Sequence, residues 1–267
     1  MHDFLHPDTP GHMWRKIHRY IDLDEEQATL ILRSSAGGRA VARGDVVQRM
    51  GQRVRNMQVV HRGAFLEQRV TRDGRRQIQR VVMPGDLIGT HDIALTAHTA
   101  DVHAITDAVL TDVPRAIVIE SDNTNLARLF YAFRMVEQAI LNDRMQTVAR
   151  ADGEARLVHF LLELHARQRL TCPMIGDAVW VPLTQSDIGD ALGLTNVYVS
   201  KLMGALRRRG TLRVEGEVIR FTDRAALVGA VGFEDRYGAI DPEWLTPLSD
   251  PRPDAVHREA PSPVPAE

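Results

Sequence analysis

The spacing of hydrophobic residues changes twice along the chain and divides it into regions of different predicted structure. Between residues 39 and 119, short runs rich in valine and isoleucine are separated by glycine, proline and aspartate. Such runs are typical of β-strands, and the Asp-Gly pair within 71–76 is a strong hairpin signal. The sequence therefore predicts a β-sandwich or β-roll here. Ahead of it, residues 1–35 show helical spacing at positions such as Ile17 and Leu30. Residues 1–121 are thus predicted to form an N-terminal helix and a β-roll.

The second region is a long segment, 123–150, without glycine or proline. Its hydrophobic positions recur at spacings of three and four, which predicts one helix with a seam suited to pairing with another helix. We expect this helix, over 122–151, to hold a homodimer together. The alternative is that its hydrophobic face packs only on the β-domain of its own chain. The predicted seam residues are Leu126, Leu129, Phe133, Val136 and Ile140.

The third region, 152–240, mixes short helices with strands. A helix is predicted for 153–169, and residues 211–222 have the pattern of two strands that turn at Glu215-Gly216. The tail 241–267 follows, with six prolines between positions 247 and 267. It has too few hydrophobic residues to fold alone, which predicts disorder.

The segment TQSDIGDALGLTNVYVSKLMGALRRRG, residues 184–210, has the pattern of two short helices joined by a tight turn. Thr184 and Thr195 can cap the two helices. Gly189 is small where the helices must cross, and Gly193 can end the first helix in a left-handed conformation. Together with inward-facing hydrophobic residues, these offsets predict a helix-turn-helix, followed by a strand hairpin.

The outward face of the second helix carries side chains that can contact base edges in a major groove. These are Asn196, Val197, Ser200 and Lys201. Phosphate contacts are predicted for Thr195, Tyr198, Arg207, Arg208 and Arg209. Residues 184–224 contain seven Lys or Arg and five Asp or Glu, whereas the whole chain has a net charge of −2. A DNA-binding surface must therefore be a local patch. The alternative is that the three arginines only complement the dipole of the helix end.

This order of β-roll, long helix, second helix and winged helix-turn-helix resembles the Crp/Fnr family of bacterial transcription regulators. The resemblance covers roughly residues 15–240 and is most specific in PGDLIG (84–89) and in 183–210. It implies an α+β fold and a homodimer in which residues 184–210 of each chain enter successive major grooves of a palindromic double-stranded DNA site. It further implies RNA polymerase as a partner. Phosphate contacts at the start of the first helix are implied for Thr184, Gln185 and Ser186.

Two departures from the family pattern affect what the protein recognises. The family usually places Glu and Arg where this recognition helix has Val197 and Lys201, so the usual target sequence does not carry over. Cyclic-nucleotide binders of the superfamily hold the ribose with a Glu and the phosphate with an Arg. This chain has Thr90 at the Glu position and His98 or a neighbour at the Arg position.

The predicted ligand pocket is therefore degenerate. No Lys or Arg occurs from position 87 to position 114, although a buried phosphate needs a guanidinium or a helix N-terminus. We expect no activation by cyclic AMP. An unknown small-molecule effector, or a β-roll that serves only as a scaffold, are the alternatives. The residues of this degenerate pocket are Gly89, Thr90, His98 and Thr99.

The amino-acid composition limits which disulfides, metal sites and cofactors the chain can contain. The single cysteine, Cys172, cannot form an internal disulfide or ligate an iron–sulfur cluster or a cysteine-rich zinc site. We predict no cofactor and no metal. Haem is an alternative because four histidines lie in the β-roll region, although scattered histidines are more often ordinary surface or hydrogen-bonded residues. They are His61, His91, His98 and His103.

Other motifs and targeting signals are missing from the sequence. No metalloprotease, Ser/His/Asp or Walker-type pattern occurs, so we predict no enzyme. The first residues have no signal-peptide core and no long apolar segment follows, which predicts a cytoplasmic protein that does not span a membrane. A protein-interaction module without DNA binding is the remaining alternative.

Overall fold

The structure is a computed structural model that describes residues 11–20, 38–114 and 124–245, with backbone alone for 124–127. The predictions made for Leu30 and for the side chain of Leu126 lie outside the described residues, as does the predicted disordered tail from 246 onward. The start of that tail, Pro242–Leu245, forms a short helix with Leu245 buried, which corrects the prediction of disorder there.

The strands before the long helix form a sandwich, as the sequence predicts. They are β1 (Arg39–Val41), β2 (Val46–Gln48), β3 (Asn56–Arg62), β4 (Phe65–Val70), β5 (Arg76–Val82), β6 (Leu87–Ile88), β7 (Asp101–Ala104) and β8 (Ala108–Pro114). One antiparallel sheet has the order β1-β8-β3-β6 and the other β2-β7-β4-β5. Val60, Phe65 and Leu110 are completely buried between the sheets. The predicted turn joins β4 to β5, and Gly74 there has a φ of +79°, which favours glycine.

The helices surround this sandwich and extend beyond it. They are α1 (His12–His18), α2 (Thr124–Arg150), α3 (Gly153–Thr171), α4 (Gln185–Leu192), α5 (Asn196–Arg208), α6 (Arg224–Val231) and α7 (Pro242–Leu245). A small antiparallel sheet accompanies α4 to α6. Its order is β10-β11-β9, formed by β9 (Ala178–Trp180), β10 (Leu212–Glu215) and β11 (Val218–Phe221). Among the described residues, no helix combines the length and apolar character that crossing a membrane requires.

The hydrophobic stripe of α2 is buried within the chain, which corrects its assignment to a dimer seam. Leu129 is 0% exposed, Phe133 7% and Val136 9%, and Ile140 is half-buried at the edge of the same cluster. Their neighbours come from α1, β3, α3 and the segment after α6, with Tyr237 among them. The alternative interpretation, in which α2 packs on its own chain, therefore describes these residues.

A different face of α2 is exposed along its length. Tyr131 and Met135 begin it, and Met145 lies near its end with 65% of its surface exposed. Its members follow one another at spacings of four and three, as a helix-pairing seam requires. We call this set the outer stripe: Tyr131, Met135, Gln138, Asn142, Met145 and Ala149.

A cluster of buried charges joins the elements around the sandwich. Asp86, in the turn between β5 and β6, accepts hydrogen bonds from Lys16 Nζ of α1 at 3.0 Å and from Arg167 of α3. The Arg80 guanidinium lies 3.9 Å from the same carboxylate. Burial alone would raise the pKa of Asp86, but Arg167, Lys16 and Arg80 hold it well below its usual range. The carboxylate therefore stays ionised and links three elements.

Candidate nucleic-acid interface and ligand pocket

The two helices of the predicted helix-turn-helix are α4 and α5, and both begin with the predicted caps. Asp187 N donates to Thr184 Oγ1 at 3.1 Å, while Thr184 N donates to the Asp187 carboxylate at 2.9 Å. This is a complete capping box. Tyr198 N donates to Thr195 Oγ1 at 3.2 Å and starts α5 in the same way. The local sequence therefore fixes where each helix starts.

Two glycines set the angle between the helices. Gly193 ends α4 with a φ of +67°, the left-handed conformation that glycine adopts without strain. A Cβ on Gly189 would lie 2.5 Å from the carbonyl oxygen of Leu194, so the backbones approach too closely for any side chain. Val199 and Leu206 bury the inner face of α5. The predicted helix-turn-helix is confirmed.

The rest of the described chain does not cover the outer face of α5, the recognition helix. All four predicted base-contacting residues are exposed, and 74% of Val197 is accessible. The Asn196 side chain accepts a hydrogen bond from Val197 N at 2.7 Å. Its Oδ1 therefore already accepts a hydrogen bond from the backbone at the start of the helix. The four residues are Asn196, Val197, Ser200 and Lys201.

The predicted phosphate-contacting residues lie at the ends of α4 and α5, and all are exposed. Besides the capping bonds of Thr184 and Thr195, two of these residues contact α3. Arg209 forms an ion pair with Glu154 at the start of α3, and the Tyr198 ring packs on Gly153. The full set is Thr184, Gln185, Ser186, Thr195, Tyr198, Arg207, Arg208 and Arg209. Behind them the β10–β11 hairpin turns at Gly216, and Glu217 accepts a hydrogen bond from Trp180 Nε1 at 2.9 Å.

An ion-pair contact that the sequence analysis missed connects the sandwich to the helix-turn-helix. Arg76, the first residue of β5, donates through Nη2 to Asp187 at 2.6 Å and through Nε to Asp190 at 2.7 Å. Asp187 thus caps α4 and binds Arg76 at once. The residues are more than 100 positions apart in the chain, so no local pattern signals this contact.

The degenerate pocket contains an acidic residue that the sequence analysis also missed. After Gly89, a short 3-10 helix (Thr90–Asp92) carries Asp92, which is 0% exposed. Its carboxylate accepts hydrogen bonds from Thr99 Oγ1 at 2.8 Å and from Thr99 N at 3.2 Å. His98 Nδ1 lies 3.1 Å away, and Gln48 Nε2 3.5 Å.

The groups that contact Asp92 include residues of the predicted degenerate pocket. His98 and Thr99 stand where the resemblance places the phosphate-binding residues, and both are already bonded to the carboxylate. By contrast, the buried Thr90 hydroxyl has no hydrogen-bond partner among the described residues. The Asp92 carboxylate therefore engages both residues that the resemblance places at the anion position, whereas Thr90, at the expected ribose position, has no such contact.

Three of the four histidines considered for haem have other contacts, whereas His103 Nε2 is buried without a hydrogen-bond partner among the described residues. His61 Nε2 lies 2.9 Å from Thr111 Oγ1, His91 Nε2 lies 2.8 Å from Glu67, and His98 contacts Asp92. Within the described ranges, no group of three or more His, Cys, Asp or Glu side chains is arranged to hold a metal ion.

Comparison with known protein families matches both halves of the chain. The model of the cyclic nucleotide-binding domain matches residues 38–120, and that of the Crp-like helix-turn-helix domain matches residues 155–229. The first range contains the sandwich, and the second contains most of α3 and the helix-turn-helix with its sheet.

Named relatives and a solved structure agree with these matches. The nitrogen fixation regulation protein FixK of Azorhizobium caulinodans is 27% identical over 228 residues, which is 84% of this chain and 91% of the relative. The anaerobic regulatory protein of Pasteurella multocida is 24% identical over 194 residues, 72% of this chain and 71% of the relative. The structure of FixK2 from Bradyrhizobium japonicum has a TM-score of 0.65 at 26% identity, and covers 72% of this chain and 96% of its own.

Proposed function

We propose a mode of action for this chain, which belongs to the Crp/Fnr family of transcription regulators: it binds a palindromic DNA site as a homodimer without a cyclic nucleotide. One observation carries the DNA-binding part of the proposal. The recognition helix α5 starts at a fixed cap, crosses α4 at Gly189, and presents its outer face to solvent. A rigid exposed helix of this kind fits a major groove.

The contacts divide into two groups with different consequences. Asn196, Val197, Ser200 and Lys201 would contact base edges and determine the sequence. The phosphate group at the helix ends would position the domain, and its binding would weaken as salt increases. The wing is acidic at Glu215 and Glu217, so we assign it little phosphate contact.

Removal of the Lys201 amine tests the base contacts. In Lys201→Ala, affinity for a duplex that the wild-type protein selects from a random library is expected to fall about 10- to 100-fold. Affinity for unrelated duplexes should change much less, because a base contact is lost rather than a general charge effect. Fluorescence anisotropy across a salt series measures both. Arg43→Ala, which removes an exposed charge in the β1–β2 turn, is the matched control. An equal loss of affinity for selected and unrelated DNA would show that Lys201 contacts phosphate rather than a base.

The homodimer of the proposal uses the outer stripe of α2. Its residues are exposed in one chain, and Tyr131, Met135 and Met145 are large hydrophobic side chains at pairing positions. The two central positions are polar, and Gln138 Nε2 donates to Asn142 Oδ1 at 3.2 Å. Polar residues at such positions commonly set register and oligomeric state in paired helices. The inner residues Leu129, Phe133 and Val136 have no role in this contact.

The absence of cyclic-nucleotide control is supported by the buried carboxylate of Asp92. A cyclic phosphate at the His98–Thr99 position would meet a fixed negative charge and donors that are already engaged. The described pocket offers it no guanidinium between positions 87 and 114. A like charge within a few ångströms in a buried site disfavours binding strongly.

Cyclic AMP should therefore give no binding heat with the wild-type protein in calorimetry, and should leave its DNA affinity unchanged. Asp92→Ala should lower the free energy of unfolding by about 1–3 kcal/mol, because Thr99 and His98 lose their shared acceptor. Urea unfolding measures this loss. Asp45→Ala, at an exposed turn, is the control and should have the smaller effect. Micromolar binding of cyclic AMP to the wild-type protein would contradict the proposal.

A second candidate, control by a different small molecule, is favoured by one observation. A cleft of about 1310 Å³ lies between β5, α2 and the turn of the helix-turn-helix. Arg80 and Glu137 pair within it at 2.7 Å. A ligand that bound there would contact both domains. A screen of metabolites by thermal shift, followed by DNA binding with each hit, separates this candidate from ligand-free action.

RNA polymerase as a partner stays a prediction that rests on the family resemblance.

A further inference from the structure

After the helix-turn-helix domain, the chain continues and packs against the long helix α2. Residues 233–245, here named the return segment, lie beyond the 155–229 range matched by the helix-turn-helix model. The segment follows α6, crosses α3, where the Phe233 ring meets His159 edge to face at 5.2 Å, and finishes as α7 against α2.

The middle of the return segment is part of the buried core. Tyr237 is 2% exposed and packs against Phe133 of α2, with their ring centres 6.3 Å apart. Lys16 Nζ of α1 lies 5.1 Å from the centre of the Tyr237 ring. The Tyr20 hydroxyl donates to the Tyr237 carbonyl at 3.0 Å. This residue therefore fixes the segment both to α2 and to the N-terminal residues 16–20.

Two further contacts lie on either side of Tyr237 and both reach α2. Arg236 donates through Nε and Nη2 to the two carboxylate oxygens of Asp143, at 2.7 and 2.8 Å. Trp244 Nε1 donates to the Arg128 carbonyl at 3.4 Å, and its ring lies 6.0 Å from that of Tyr131. The contacted positions span about 20 Å of helix at 1.5 Å per residue. The segment thus lies along α2 rather than at one point.

These contacts add to the connections between the DNA-binding domain and α2. The others include the short link between the end of α2 and the start of α3 and the ion pair of Arg144 in α2 with Glu163 in α3. Both lie toward one end of α2, so the contacts of the return segment oppose a rotation that those two connections would allow. The contacts of the return segment need no ligand, and they leave the outer face of α5 exposed.

We propose that the return segment is a positioning element: it fixes the DNA-binding domain on α2 and so sets the separation of the two recognition helices in the dimer. This inference rests on the proposed function. Two linked recognition helices bind a palindrome tightly only when their separation matches the half-site spacing. The affinity for a single half-site does not depend on that separation. The two kinds of DNA therefore distinguish positioning from simple loss of folding.

The experiment reverses one charge and then restores the pair. Arg236→Asp places a carboxylate next to Asp143 and Glu234, and Arg236→Asp combined with Asp143→Arg rebuilds an ion pair with opposite polarity. Both side chains are partly exposed, so folding should survive. Trp244→Ala, whose side chain is 49% exposed, disturbs the other end. Because Trp244 also contacts Tyr131 of the outer stripe, sedimentation velocity must show that this variant is still a dimer.

Affinities are measured by anisotropy for the selected full-site duplex, for a single half-site, and for full sites with spacings changed by one or two base pairs. Arg236→Asp is expected to lower full-site affinity about tenfold and to keep half-site affinity within about twofold of the wild-type value. Its affinity should also depend less on the spacing of the half-sites. The double variant should recover the wild-type pattern. Trp244→Ala should change it in the same direction as Arg236→Asp.

Equal losses on full and half sites, or no loss on either, would overturn the positioning role. A tighter full-site complex in the single variants would also overturn it, since it would show that the segment inhibits binding. Failure of the wild-type protein to select any duplex from the library would instead refute the proposed function itself.

Discussion

Asp86→Asn is expected to lower the free energy of unfolding by about 3–5 kcal/mol, because it removes a carboxylate that lies among the buried Lys16 and Arg167 and the half-buried Arg80. Lys16, Arg80 and Arg167 surround Asp86, and asparagine cannot neutralise them. Burial would raise the pKa of Asp86, but these cations hold it well below its usual range. A folded-state pKa below the unfolded value stabilises the fold above about pH 4 and loses that contribution as the pH falls further.

Urea unfolding at neutral pH measures the loss, and a series of acid titrations measures the linkage. The wild-type protein should lose stability below about pH 4 more steeply than Asp86→Asn, which no longer has this carboxylate. Asp73→Asn is the matched control, since Asp73 lies on the exposed β4–β5 turn beside Arg75. It should unfold like the wild-type protein. An unchanged midpoint and slope in Asp86→Asn would show that the cluster contributes little to folding.

Met135→Glu combined with Met145→Glu is expected to give a monomer and to weaken binding to the full DNA site at least about 100-fold. In a two-fold interface each residue of the outer stripe lies near its own copy, so each substitution brings two carboxylates together. Loss of the second recognition helix then removes the gain from bivalent binding. Sedimentation velocity reports the mass, and anisotropy reports the affinity.

The control for this pair is Gln146→Glu, an exposed residue of α2 outside the outer stripe. It should stay dimeric. Leu129→Ala gives the opposite contrast, since Leu129 is buried within the chain: stability should fall by about 2–5 kcal/mol without a change in assembly. A dimeric Met135→Glu, Met145→Glu protein would refute the outer stripe as the contact.

Local chemistry explains what could be predicted. Turns such as Asp73-Gly74, the capping box of Thr184 and Asp187, and the left-handed Gly193 depend on residues a few positions apart. Their sequence signals are therefore specific, and the strands, the long helix and the helix-turn-helix follow from them. The exposure of Lys201 and its neighbours on α5 follows from the helical period.

Contacts between distant residues explain what could not be predicted. The pair of Arg76 with Asp187, the donors that Gln48 and Thr99 offer to Asp92, and the return of Tyr237 to Phe133 each join positions without a shared pattern.

By itself the sequence determined the elements, their order, the turn chemistry and the surface of the recognition helix, because these depend on neighbours along the chain. The tertiary structure alone decided which stripe of α2 is inside. Both stripes have helical periodicity, and periodicity identifies a face without identifying what covers it. Residues from α1, β3, α3 and the return segment cover Leu129 and Phe133, so the more hydrophobic face folds into its own chain and the weaker one stays exposed.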